Sequence, residues 1–131
     1  MSIGSDTRMC GKINIAAVES SSIYIGDNCL FSAEIEIRTS DSHAIYDMSG
    51  HRINSAKNIK IGNYVWVGQR VFILKGAQIG NGSVVGAAAL VNKKFEEERC
   101  IIAGNPAHIV KKNILWDKDR KEQLFEEKQQ K

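Results

Sequence analysis

The chain has 131 residues, a formal net charge of +3 and 43% hydrophobic residues. That length supports one domain, and the charge is too small to argue for a nucleic-acid partner. Cys10, Cys29 and Cys100 show neither a disulfide framework nor zinc-ligand spacing, and no apolar run approaches the about 18 residues of a membrane-spanning helix. A reducing cytoplasm is therefore the expected setting. In chain order, Ile13 with Ala17 and Glu19 with Ile23 begin a weak six-residue rhythm. Ile25-Gly26-Asp27-Asn28-Cys29-Leu30 is its first clear unit, and Phe31 and Ile37 continue it with Ile35 at the small site.

Residues 39–57 break the pattern. Thr39 to Lys57 is polar and holds Asp41, Ser42, His43, Asp47, His51 and Arg52. A long polar departure from a regular scaffold reads as a loop that leaves the body and returns, and such loops commonly carry function.

The rhythm then returns without a miss. Ile61, Val67, Ile73, Ile79, Val85 and Val91 stand six apart, mostly followed by Gly. Val65, Val71, Ala77, Ser83 and Ala89 occupy the fifth places. A period of six is neither the two of a strand nor the 3.6 of a helix. It predicts an all-β parallel β-helix, in which three units close one triangular coil. First-place aliphatics and small fifth-place residues point inward, where a bulkier fifth residue would overfill the interior. Gly at the second place relieves crowding or allows unusual backbone angles. The expected helix covers about residues 13–106, and Pro106 ends the regular stacking. The charged stretch from about 115 to 131, with Leu124 and Phe125, is expected to form a short helix packed on the prism. Flat outer faces on so short a solenoid favour oligomerisation.

These motifs resemble the left-handed β-helix acyltransferases of the hexapeptide-repeat superfamily, and within it the sugar O-acetyltransferases: maltose and galactoside, and capsule or polysialic acid, O-acetyltransferases. Asp41-Ser42-His43-Ala44-Ile45-Tyr46-Asp47 resembles the family's catalytic-histidine loop. Val65-Trp66-Val67-Gly68 resembles its Trp-Ile-Gly segment. Val85-Gly86-Ala87-Ala88-Ala89-Leu90-Val91, then Lys93 and Gly104-Asn105-Pro106-Ala107, resembles the acetyl-coenzyme A binding end. The sequence departs from the usual pattern at Ala89-Leu90-Val91 and Asn92-Lys93-Lys94.

The resemblance implies a left-handed helix and a homotrimer with active sites between subunits. It also implies direct acetyl transfer from acetyl-CoA, as co-substrate and without a metal, to a saccharide hydroxyl. A histidine suits the base role because its ordinary pKa lies near 6.5. His43 is the candidate base; Asp41, Asp47 or a backbone carbonyl would orient its ring. A backbone N–H would hold the oxyanion, with Val71 and Ala89 as candidates by analogy. Trp66 faces outward, either against the thioester arm or acceptor or in a trimer contact. Ala87, Ala88 and Ala89 line the expected pantetheine path. Lys93, Lys94 and Lys111 are either phosphate ligands or solvated surface. Asn14, Tyr46 and His51 are the acceptor-side candidates, and His108 is expected at the surface.

The alternatives are an N-acyltransferase on a nucleotide-linked amino sugar and a non-catalytic solenoid scaffold. A zinc site of the carbonic anhydrase kind does not match the spacing of the three histidines.

Overall fold

A period of six, bent at every unit, winds the backbone around a three-sided prism. The computed structural model describes residues 1–125. They form β1 (Ser2–Ile3), β2 (Arg8–Met9), β3 (Ile13–Ala16), β4 (Ile23–Ile25), β5 (Leu30–Phe31), β6 (Ile35–Arg38), β7 (Ile59–Ile61) and β8 (Trp66–Val67). Then come β9 (Phe72–Ile73), β10 (Gln78–Ile79), β11 (Val84–Val85), β12 (Leu90–Val91), β13 (Lys94–Phe95), β14 (Ile101–Gly104) and β15 (Ala107–Lys111). The first face stacks β1-β4-β7-β10-β13, the second β2-β5-β8-β11-β14-β15, and the third β3-β6-β9-β12. Pairing is parallel except between β14 and β15. The fold is the left-handed parallel β-helix that the rhythm and the resemblance led us to expect.

The core confirms the inward assignments. Ile25, Phe31, Ile37, Ile61, Val67, Ile73, Val85 and Val91 are buried, and so are Cys29, Val65, Val71, Ala77 and Ala89 at the fifth places. Ser83 is a buried polar exception, satisfied because its Oγ accepts the Cys100 N–H at 3.2 Å. Burial pushes the Cys29 thiol pKa up, as expected of a core residue rather than a reactive one.

Two backbone demands divide between two places of the unit. At the second place the next coil's backbone passes too close for a side chain. A Cβ on Gly68 would lie 2.8 Å from the Ala87 nitrogen and 2.9 Å from the Val85 oxygen. Left-handed backbone falls instead on the fourth place: Asn28, Glu34, Tyr64, Arg70, Gly76, Gly82 and Ala88 all have positive φ. Third-place side chains staple the stacked turns. Asn81 Oδ1 accepts the Asn63 N–H at 2.7 Å, and Asn63 Oδ1 accepts the Asp27 N–H at 2.9 Å.

The expectations fail at both ends. The prism starts at β1, not near residue 13. The step from the first coil to the second is 22 residues, as in the Asn14–Glu36 pair, so a strict six-beat extrapolation slips there. Ile15, not Ile13, aligns with Ile37, and Glu19 is an exposed turn residue with φ 56°. Pro106 ends the parallel stacking, but the chain then folds back as β15 against β14. No helix forms over residues 115–125. Trp116 is drawn onto the second face instead, and the few apolar residues after it leave nothing to pay for an isolated helix. The remainder of that expected tail, 126–131, lies outside the described residues.

Candidate active site

The polar departure is a built loop with a closed base. The Lys57 N–H donates to the Thr39 carbonyl at 3.1 Å. Above the base, Tyr46 and Arg52 form an antiparallel bridge, and the Ile53 N–H donates to the Ile45 carbonyl at 2.8 Å. Asp47 caps the tip: its Oδ1 accepts the Ser49 and His51 N–H groups at 2.9 and 3.0 Å.

Two anchors tie this loop to the prism. Arg52 Nη1 meets Glu19 Oε1 at 2.5 Å, and the Ser40 hydroxyl donates to the other Glu19 oxygen. Lys75, in the turn after β9, meets Asp41 Oδ2 at 2.5 Å. These partners hold both carboxyls below the usual carboxylate range. For Glu19 the Arg52 hydrogen bond is the main cause and Ser40 the next; for Asp41 it is Lys75, then Asn54.

His43 stands on the loop with an exposed side chain. Ser42 just before it has φ 74°, a left-handed conformation that a residue with a Cβ adopts only at some cost. The carboxylates proposed to orient its ring are engaged elsewhere. Asp41 is committed to Lys75 and Asn54, and Asp47 to the tip beside His51. Tyr46 and His51 are both exposed, Tyr46 at the bridge and His51 at the tip.

The other candidates are spread around the prism. Asn14 lies on the third face, where its Nδ2 donates to Glu36 Oε1 at 2.7 Å beside a depression of about 460 Å³ bordered by Lys12, Arg70 and Phe72. Trp66 lies on the second face, 39% exposed. It borders Trp116, whose ring centroid is 6.0 Å away. Trp116 in turn stacks on Tyr64 at 4.2 Å and donates its Nε1–H to the Tyr64 carbonyl at 2.8 Å. Sequence reasoning missed this aromatic strap, along with Asn54 and Lys75 around the loop, and it named Arg52 and Glu19 without their contact.

Ala87 and Ala88 form an exposed turn between the second and third faces, with the Ala88 N–H donating to the Gln69 carbonyl at 2.8 Å. Val71 and Ala89 are buried at their side chains, and the Ala89 N–H makes a long 3.3 Å bond to the Gly86 carbonyl. The lysines do not gather. Lys93 sits over the Phe95 ring at 5.4 Å, Lys94 lies on the first face and Lys111 on the second. Within one chain, His43 and Trp66 occupy different parts of the surface: the loop springs from the edge between the third and first faces, and Trp66 lies on the second. Among the described residues no group of three His, Cys, Asp or Glu side chains is placed to hold a metal ion, and no helix is long and apolar enough to cross a membrane.

Residues 58–93 match the bacterial transferase hexapeptide (six repeats) model. A polysialic acid O-acetyltransferase of Neisseria meningitidis is 48% identical over 107 residues, covering 81% of this chain and 49% of the relative. The chain belongs to the hexapeptide-repeat transferase family. Another polysialic acid O-acetyltransferase, from Escherichia coli O1:K1, is 41% identical over 104 residues, covering 79% of this chain and 34% of the relative. The crystal structure of the polySia-specific acetyltransferase NeuO superimposes with a TM-score of 0.88 at 38% identity, covering 94% of this chain and 57% of that one. The chain thus spans between about a third and three fifths of the lengths of these hexapeptide-repeat relatives.

Proposed function

We propose that this protein is an acetyl-CoA-dependent O-acetyltransferase acting on a saccharide hydroxyl, with His43 as the general base. The observation that carries this reading is the loop: the chain ties it to the prism through Glu19 and Lys75 and leaves the imidazole facing outward. The similarity to polysialic acid O-acetyltransferases supports the acceptor class.

In the proposed step His43 takes the proton of the acceptor hydroxyl as its oxygen attacks the thioester carbonyl. The C–O bond forms, the C–S bond breaks, and the proton passes from the imidazolium to the departing thiolate. The chain's part is to place the base, to exclude water, and to offer a backbone N–H near Val71 or Ala89 to the developing oxyanion. Trp66 would wall the reacting centre, and the Ala87–Ala88 turn would pass the pantetheine arm. Lys93, Lys94 and Lys111 are the cations available to its phosphates, the first two adjacent at the start of β13 and the third at the end of β15 on the second face. Asn14, Tyr46 and His51 remain acceptor contacts in this reading, and Asp41 acts on His43 by holding the loop rather than by touching the ring. In this reading the site joins two subunits of a homotrimer, and the placement of His43 and Trp66 on different sides of one prism supports it.

The test is thioester consumption in the presence of polysialic acid, simple sugars and nucleotide-linked amino sugars. His43→Ala is expected to lower kcat/KM by about 10²- to 10⁴-fold without changing the fold. Equal rates in the two proteins remove His43 from the mechanism, and turnover confined to amino sugars replaces O- by N-acyl transfer.

A further inference from the structure

Asn54 is only 5% exposed, and every hydrogen-bonding position of its amide is used. Nδ2 donates to the His43 carbonyl at 2.8 Å and to Asp41 Oδ2 at 3.0 Å. Oδ1 accepts the Ile45 N–H at 2.8 Å and Arg52 Nε at 3.2 Å. An amide has two donor hydrogens and two acceptor lone pairs, so this side chain is saturated. Asp of the same shape has no donor when ionised, and Leu has neither function. A buried amide so placed is a high-stakes element: complete, it rigidifies, and half-satisfied, it costs more than an apolar residue would.

Its partners are not scattered. One is the carbonyl of His43 itself, and another is the N–H two residues on, so the amide grips the backbone on both sides of Ala44. The other two lead to the prism anchors, Asp41 to Lys75 and Arg52 to Glu19. We infer that Asn54 is the positioning residue of the candidate base: it joins both anchors to the peptide that carries the imidazole and so sets where the ring points. This rests on reading His43 as the base. The consequence for rate follows from geometry, because a reacting group displaced by about 1 Å costs on the order of 10²-fold.

Asn54→Asp keeps the volume but points an oxygen at two acceptors, the His43 carbonyl and Asp41. Asn54→Ser is the milder variant, expected to fold even where the first does not. Two readouts apply to the full chain. In steady-state kinetics, kcat is expected to fall about 10- to 100-fold for Asp and less for Ser, with KM for acetyl-CoA within about twofold of wild type. In carbon-13 spectra of labelled histidine rings, the protein is expected to give one signal from each of its three histidines, His43, His51 and His108. Only that of His43 is expected to shift or broaden.

A His43 signal at its wild-type position in a folded variant overturns the proposal, as does unchanged kcat, or equal movement of all three signals. If His43→Ala retains full activity, the base assignment fails by itself. The ring spectra then still decide whether Asn54 positions that loop.

Discussion

At the scale of single residues, the loop is held by charge-assisted contacts rather than by apolar burial. Glu19 and Asp41 both ionise more readily in the folded chain than their ordinary values of 4.5 and 3.8. Groups depressed in this way contribute stability above their unfolded values and lose it as pH falls through the folded ones. The loop is therefore expected to loosen in acid, below about pH 4, before the prism itself opens. Amide hydrogen exchange of residues 39–57, corrected for intrinsic rate, reads this directly. Glu19→Gln is expected to raise exchange already at neutral pH and to flatten the acid dependence. A pH response identical to wild type would deny Glu19 its anchoring part. The protein holds the backbone of His43 through Asn54 and leaves its side chain exposed.

At the scale of the element, the six-residue unit is a division of labour among places. Its first and fifth places were legible from the sequence because burial restricts them to aliphatic and small residues, and Ile61 through Val91 obey this without exception. The second place was legible as Gly, and the structure assigns it to close approach of the next coil. Gly68→Ala accordingly forces backbone apart, since the clashing atoms belong to Ala87 and Val85. We expect a loss of about 1–3 kcal/mol, read as a lower urea midpoint. A midpoint unchanged from wild type would mean that the turn yields freely. The left-handed fourth place escaped sequence reading because Asn, Tyr, Arg, Gly and Ala all occupy it, so no residue type marks it. The departure of residues 39–57 from the prism could be read from the break in rhythm, whereas the choice of His43 within it came from the resemblance. The loop's supports could be read from neither: Glu19, Asn54 and Lys75 converge from positions with no common spacing, and only folding brings them together. The same holds for Trp116, which finds Tyr64 across 52 residues of chain. The helix expected there fails because tertiary contact outweighs a weak amphipathic stripe.

At the scale of the whole molecule, the flat faces and the separation of His43 from Trp66 lead to one argument about assembly. In the proposed homotrimer the loop of one subunit would meet the second face of its neighbour. Two inactive variants then test the arrangement without a ligand-bound structure. His43→Ala lacks the base, and Trp66→Ala lacks the proposed wall of the reacting centre. Each alone is expected to be nearly inactive. Co-unfolded and reassembled in equal amounts, they form mixed rings in which some junctions pair an intact His43 with an intact Trp66. Random mixing gives such a junction in about one case in four, so about a quarter of wild-type activity should return. Sites built within one chain predict a different result, because every subunit then carries one defect or the other and mixing restores nothing. Recovery that depends on reassembly, and is absent when the proteins are mixed without unfolding, separates shared sites from a trivial increase in enzyme concentration. The same preparations report the oligomeric state by sedimentation, and a monomer that is fully active would remove the shared site altogether.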